Sequence, residues 1–148
     1  METKIKKEIL PAVSAVIFNA KGEVLLQKRN DVNRWCIICG HVEFGETVEE
    51  AILREIQEEI NMQAEIVRLI GVYSSPASAT YYHADRTVQY VTAYFEMRLT
   101  GDPDLTFSNQ ETLELKFFPK DNLPADLDQL NPYWLLDALD QTTRVFIR

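Results

Sequence analysis

The chain has 148 residues, 46% hydrophobic and 26% charged, a balance that matches one globular domain over 1–148 long enough to bury a core. A net charge of -8 argues against a general nucleic-acid binder or a protein held on anionic membrane, since neither polyanion is attracted to an acidic surface. The longest apolar run, near AVSAVIF, is far too short to span a bilayer, and the basic KIKK lacks the apolar segment and cleavage site of a signal peptide, so a cytoplasmic location is expected.

In chain order, PAVSAVIF (11–18), the turn NAKG and EVLLQKR (23–29) read as two strands joined as a hairpin. WCII continues as a third strand and runs into a loop, CGHVEFGE, whose Gly40 and Gly45 permit backbone angles or close approaches that other residues resist. A long helix follows. Thr47 and Glu50 make the S/T-x-x-E capping box that starts it, and Val48, Ile52, Ile56 and Ile60, widened by Leu53, form its apolar stripe. Asn61 is its terminator, because asparagine tolerates the left-handed conformation in which many helices end. AEIVRLIGVY and VQYVTAYFEMRL have the β-branched and aromatic enrichment of strands, with SSPASATYYHADRT as a loop between them. LELKFF is a further strand and PYWLLDALD a C-terminal helix. Strands, one long helix, more strands and a short helix predict an α+β fold with a mixed β-sheet packed between helices, an α/β/α sandwich, and not a doubly wound parallel one.

Charge is concentrated on the long helix and its approach. Seven glutamates (Glu43, Glu46, Glu49, Glu50, Glu55, Glu58, Glu59) stand against one arginine, Arg54, so this stretch carries six of the eight net negative charges. Glu55, Glu58 and Glu59, spaced i, i+3 and i+4, share one helical face, where like charges repel by about 0.2–0.5 kcal/mol per pair. Such a run is either a solvated face or a site for a cation, and the border between apolar stripe and solvent suits a cation held against a neighbouring loop. Cys36 and Cys39 form a single C-x-x-C. It reads as a redox pair, as half of a zinc site with His41 and His83, or as two small hydrophobes in a strand; without a second C-x-x-C the last reading is preferred.

From Gly40 to Met62 the residues GHVEFGETVEEAILREIQEEINM resemble the Nudix box, G-x5-E-x7-R-E-U-x-E-E-x-G-U, with U a bulky aliphatic residue. Gly40, Glu46, Arg54, Glu55, Ile56, Glu58, Glu59 and Met62 fall on its defined positions, and Asn61 stands where the box has glycine. Ile38 and Cys39 depart from the Pro-Gly that often precedes the box glycine, while EVLLQKR and ETLELKFFPKDNLP are similar to flanking segments of bacterial members. The resemblance implies a Nudix fold and hydrolysis of a nucleoside diphosphate linked to another moiety, with Mg²⁺ or Mn²⁺ as cofactor. Hard cations of this kind prefer carboxylate oxygens, and a diphosphate needs its charge screened before water can attack.

Carried onto this chain, the resemblance makes Glu58 and Glu59 the main metal ligands, and Glu55 a ligand or the base that orients the attacking water. Arg54 orients those glutamates by charge-assisted hydrogen bonds, with Glu46 in support. Glu111 in SNQETLEL is the further glutamate supplied after the box, as ligand or base, ahead of Glu114. Arg29 and, more weakly, Arg34 resemble phosphate-contacting arginines, and Gly40 a residue of the substrate loop; both arginines also read as ordinary surface cations. Trp35, Tyr81 and Tyr82 read either as stacking platforms for a nucleobase or as packing. The implied partner is a small nucleotide: a nucleoside triphosphate, modified nucleotide, nucleotide sugar or ADP-ribose. A homodimer is the assembly that the resemblance suggests. The competing reading is a non-catalytic Nudix-fold module that binds a nucleotide or a partner protein, although such modules usually lose the box carboxylates that this chain keeps.

Overall fold

The computed structural model describes residues 4–148. Its strands are β1 (Lys6–Ile17), β2 (Val24–Arg29), β3 (Arg34–Cys36), β4 (Ile38–His41), β5 (Ala64–Tyr73), β6 (Thr80–Tyr82), β7 (Arg86–Leu99), β8 (Thr112–Phe118) and β9 (Phe146–Ile147). The helices are α1 (Val48–Ile60), the single turn α2 (Pro76–Ala79) and α3 (Trp134–Leu139). One sheet runs in the order β4-β1-β7-β5-β9, with β6 also paired to β7. It is mixed: β1 lies parallel to β7, and β5 to β9, while the other pairs are antiparallel. A second, antiparallel sheet has the order β3-β2-β8. The mixed α+β architecture expected from the order of elements is therefore present, with the strands parted between two sheets.

That partition corrects the expected hairpin. The turn after β1 forms, with Gly22 at φ +75° and the Asn19 side chain accepting from the Lys21 and Glu23 amides, yet the two strands meet only at the Phe18–Val24 bridge before β2 leaves for the second sheet. Val24, Leu25, Leu26 and Gln27 are all buried, so β2 is covered on both faces and paired on both edges, by β3 and β8. WCII crosses between sheets: Cys36 pairs with Gln27 and Ile38 with Ala15, while Ile37 between them pairs in neither. The expected loop CGHVEFGE begins as strand β4, and the expected loop between β5 and β7 contains α2 and β6.

Alternate residues of the central strands feed two cores. Val13, Ala15 and Ile17 face α1, where Ala51, Ile52, Ile56 and Ile60 are fully buried, each isoleucine contributing about 1.5–3 kcal/mol. Val16, Leu26, Ile70, Tyr73 and Tyr94 face α3 through Trp134 and Ala138, which makes the sandwich. The stripe of α1 is narrower than expected, since Val48 and Leu53 are 40% and 38% exposed and Ala51 occupies the buried position instead.

Candidate active site

Helix α1 is clamped at both ends, and that fixes the direction in which its carboxylates point. At its start the Thr47 hydroxyl accepts from the Glu50 amide and the Glu50 carboxylate from the Thr47 amide; at its end Asn61 sits at φ 55°, ψ 41°. Arg54 then gathers the acidic face. Its Nε and Nη2 donate to Glu46 at 3.0 and 2.6 Å, Nη1 to Glu55 at 2.9 Å and Glu58 at 3.2 Å, and Nη2 also to the His41 carbonyl at 2.9 Å. The hydrogen bonds from Arg54, helped by the Glu43 amide, hold the Glu46 carboxyl down at about 2.

Two of the glutamates are buried. Glu55 lies against strand β4, and a methyl group on Gly40 would overlap its carboxyl, so any larger residue there would displace that side chain; Gly45, at φ +90°, supplies the unusual backbone angle. Burial raises the Glu55 pKa against the opposing hydrogen bond from Arg54. Glu59 is only 5% exposed and accepts one hydrogen bond, at 3.0 Å, from Gln27 Nε2. Thr112 Oγ1 lies 2.9 Å from both Gln27 Oε1 and the Glu59 carbonyl and so anchors that amide. Desolvation, with the negative charge of Cys39 and Glu55 nearby, pushes the Glu59 carboxyl up to about 9. Glu58, by contrast, is exposed.

The loop before β8 brings Glu111 to the same place. The Asn109 side chain accepts from the Glu111 and Thr112 amides at 2.8 and 2.7 Å and donates to the Glu58 carbonyl at 3.0 Å. Glu55, Glu58, Glu59, Glu111, Arg54, Arg29 and Gly40 consequently line one cleft of about 490 Å³. Arg29 is oriented by Asp31 (Nη2–Oδ2 2.7 Å) and by Cys39 Sγ (3.4 Å). Arg34 is exposed and lines neither this cleft nor its neighbour, Trp35 is core against Phe118, and Tyr82 is 82% exposed. For Gln27, Thr112 and Asn109 the sequence carries little signal: Gln27 follows the apolar run VLL in EVLLQKR, and the other two sit in a polar segment.

A second cavity of about 390 Å³ opens beside the cleft, sharing Arg29, Asp31, Cys39, Gly40 and His41 with it. Tyr81 and Tyr90 line it edge to face, Tyr90 stacks on His41 and hydrogen-bonds its Nε2 at 3.0 Å, and Asp128 and Asn131 add polar groups. The cleft offers several carboxylates, which suit a hard divalent cation, one of them on a buried Glu59 with a single donor. No three His, Cys, Asp or Glu side chains among the described residues converge as a ready-made metal cage, and Arg54 holds one oxygen each of Glu55 and Glu58.

The NUDIX domain model matches residues 8–138, and the chain belongs to that family. It is 33% identical over 115 residues to an ADP-ribose pyrophosphatase of Methanocaldococcus jannaschii, covering 76% of this chain and 63% of that protein. Against the 8-oxo-dGDP phosphatase NUDT18 of Mus musculus it is 30% identical over 129 residues, covering 84% of this chain and 36% of the relative. The chain thus spans less than two thirds of these relatives. Among solved structures, a UDP-X diphosphatase superposes with a TM-score of 0.72 at 26% identity, covering 86% of this chain and 60% of that one. An ADP-ribose pyrophosphatase from Streptococcus suis shares the fold at a TM-score of 0.73 and 21% identity, covering 94% and 98%.

Proposed function

We propose that this protein is a hydrolase that cleaves a diphosphate linkage in a nucleoside diphosphate joined to a second moiety, using Mg²⁺ or Mn²⁺. The observation that carries the reading is the cleft itself, which Glu55, Glu58, Glu59 and Glu111 line together with Arg29 beside an aromatic cavity sized for a small ligand. Glu58 and Glu59 would hold the metal, with Glu55 and Glu111 as further ligands. When bound, a divalent ion neutralises the diphosphate and acidifies the attacking water. Arg29, in the wall of the same cleft, would contact phosphate, and Arg54 holds Glu55 and Glu58 by hydrogen bonds. Water attacks one phosphorus, the phosphoanhydride P–O bond breaks, and the water's proton passes to Glu55 or Glu111. The names of the relatives support a nucleotide substrate, with ADP-ribose, modified nucleotides, nucleotide sugars and nucleoside triphosphates as the classes to screen.

The rest of the reading follows the family. Residues 1–148 form one domain, a homodimer is the expected assembly, and a cytoplasmic location goes with a nucleotide substrate and two free cysteines. No helix among the described residues is long and apolar enough to cross a membrane. The test is a screen of pooled nucleoside-diphosphate derivatives with Mg²⁺ or Mn²⁺, read as phosphate or nucleotide release. Turnover that stops on chelation supports the hydrolase. Saturable nucleotide binding without turnover would replace it with a binding module, and sedimentation of the same sample reads the assembly.

A further inference from the structure

Neither thiol of the C-x-x-C takes a chemical step in the proposed hydrolysis, and the placement of the pair is unusual. In an unbroken strand, residues three apart point to opposite faces. Here β3 ends at Cys36 and β4 begins at Ile38, and the joint at Ile37, unpaired in either sheet, brings both cysteines to the wall of the 390 Å³ cavity. The two thiols are near enough for each to shift the other's ionisation, Cys36 upward and Cys39 downward. Their surroundings differ. Cys36 is buried at 3% exposure, whereas Cys39 is partly exposed, lines both the cavity and the carboxylate cleft, and accepts from Arg29 Nη1 at 3.4 Å. A guanidinium donating to sulphur favours the thiolate, and an open thiolate with a second thiol behind it is the arrangement of peroxide-sensing cysteine pairs.

We propose that Cys36 and Cys39 form a hydroperoxide-responsive dithiol in the wall of the cleft, and that its closure to a disulfide disables the Arg29 side of the site. In the first step the Cys39 thiolate attacks a peroxide oxygen: an S–O bond forms, the O–O bond breaks, and hydroxide leaves to be protonated to water. Cys39 is thereby oxidised to the sulfenic acid by two electrons, and the peroxide is reduced. In the second step Cys36 attacks the Cys39 sulphur, the S–S bond forms, the S–O bond breaks, and the hydroxyl departs as water with the Cys36 proton. Two thiols and one hydrogen peroxide thus give one disulfide and two waters. The disulfide withdraws the sulphur from Arg29 and pulls on residue 39, next to the glycine against which Glu55 packs.

Loss of turnover rests on the hydrolase reading; the thiol chemistry does not, and the two are measured separately. The full chain is treated with hydrogen peroxide, and free thiols are counted by maleimide labelling and mass spectrometry before and after dithiothreitol. Wild type should lose both thiols to an intrachain bond that dithiothreitol reverses. Cys36→Ser should carry a Cys39 sulfenic acid trapped by a 1,3-dione, and Cys39→Ser should keep Cys36 reduced. Two surviving thiols, oxidation of Cys36 in Cys39→Ser as fast as in wild type, or a bond linking two chains would each overturn the dithiol. For the nucleotide substrate found by the screen, turnover should fall in step with thiol loss and return with dithiothreitol; turnover unchanged in the disulfide form would overturn the inhibition. A protein that hydrolyses no nucleotide but closes the bond would overturn the hydrolase reading alone.

Discussion

Glu59 is a carboxylate held out of water by one amide, and its protonation is linked to folding. Burial pushes its pKa from the ordinary 4.5 up to about 9, so the folded chain binds this proton more tightly than the unfolded chain. The resulting stabilisation is complete below the unfolded pKa and is lost as pH rises through the folded one, at no more than about 1.4 kcal/mol per pH unit. Glu59→Gln keeps the shape and removes the titration. In chelator, its Tm should gain on wild type between pH 5 and pH 9, and parallel Tm profiles would contradict the burial argument. With Mg²⁺ the same variant should lose turnover by orders of magnitude while staying folded, because a neutral amide is a poor ligand for a hard cation. Gly40→Ala makes the complementary point. The added methyl meets the far end of the Glu55 side chain and turns it aside, so we expect a small change in urea titration but a fall in kcat larger than any rise in KM. Gly40, Glu55 and Glu59 were legible in the sequence because the box spacing is local. Gln27, Thr112 and Asn109 were not, since each acts on a partner more than 30 residues away.

At the scale of the element, α1 owes its ends to residues beside it and its position to residues far from it. The capping box and Asn61 were legible because every atom involved lies within four residues, and the same locality makes their energies predictable. Thr47→Ala removes the cap to the Glu50 amide and should cost about 1 kcal/mol by chemical denaturation. Asn61 stands in the left-handed region, where a side chain costs roughly 1–2 kcal/mol and asparagine less. Asn61→Gly should therefore be close to neutral and Asn61→Ala measurably destabilising; the reverse order would remove the cap as the reason for asparagine here. Strand pairing lacks this locality. The sequence showed β2 as a strand and paired it with β1 in a hairpin; only the fold reveals that β3 and β8, and not β1, supply its edges.

Across the whole molecule, the order of elements announced the mixed sheet between helices, but not the tie that closes its far edge. Asp137 of α3, at 1% exposure, accepts from Arg148 at 2.9 and 2.7 Å and from the Tyr73 hydroxyl, so one carboxylate joins the helix, strand β5 and the segment after β9. Nothing in PYWLLDALD distinguishes this aspartate from a solvent-facing one, because its partners lie 11 and 64 residues away. Tyr73 also lines the second cavity, so the tie bears on that cavity as well as on the sheet. Burial pushes the Asp137 pKa up, but the hydrogen bonds from Arg148 and Tyr73 outweigh it and leave the group below its ordinary value. The contribution is therefore present above the unfolded pKa and disappears as pH falls through the folded one. Asp137→Asn, which cannot accept from both donors as an anion, should cost about 1–3 kcal/mol at neutral pH, seen as a Tm several degrees lower. That deficit should shrink as the buffer is acidified below the usual aspartate range, while the pH dependence set by Glu59 stays unchanged in the same variant. A deficit independent of pH would mean that Asp137 acts by packing alone and that the ionic tie adds nothing to the edge it closes.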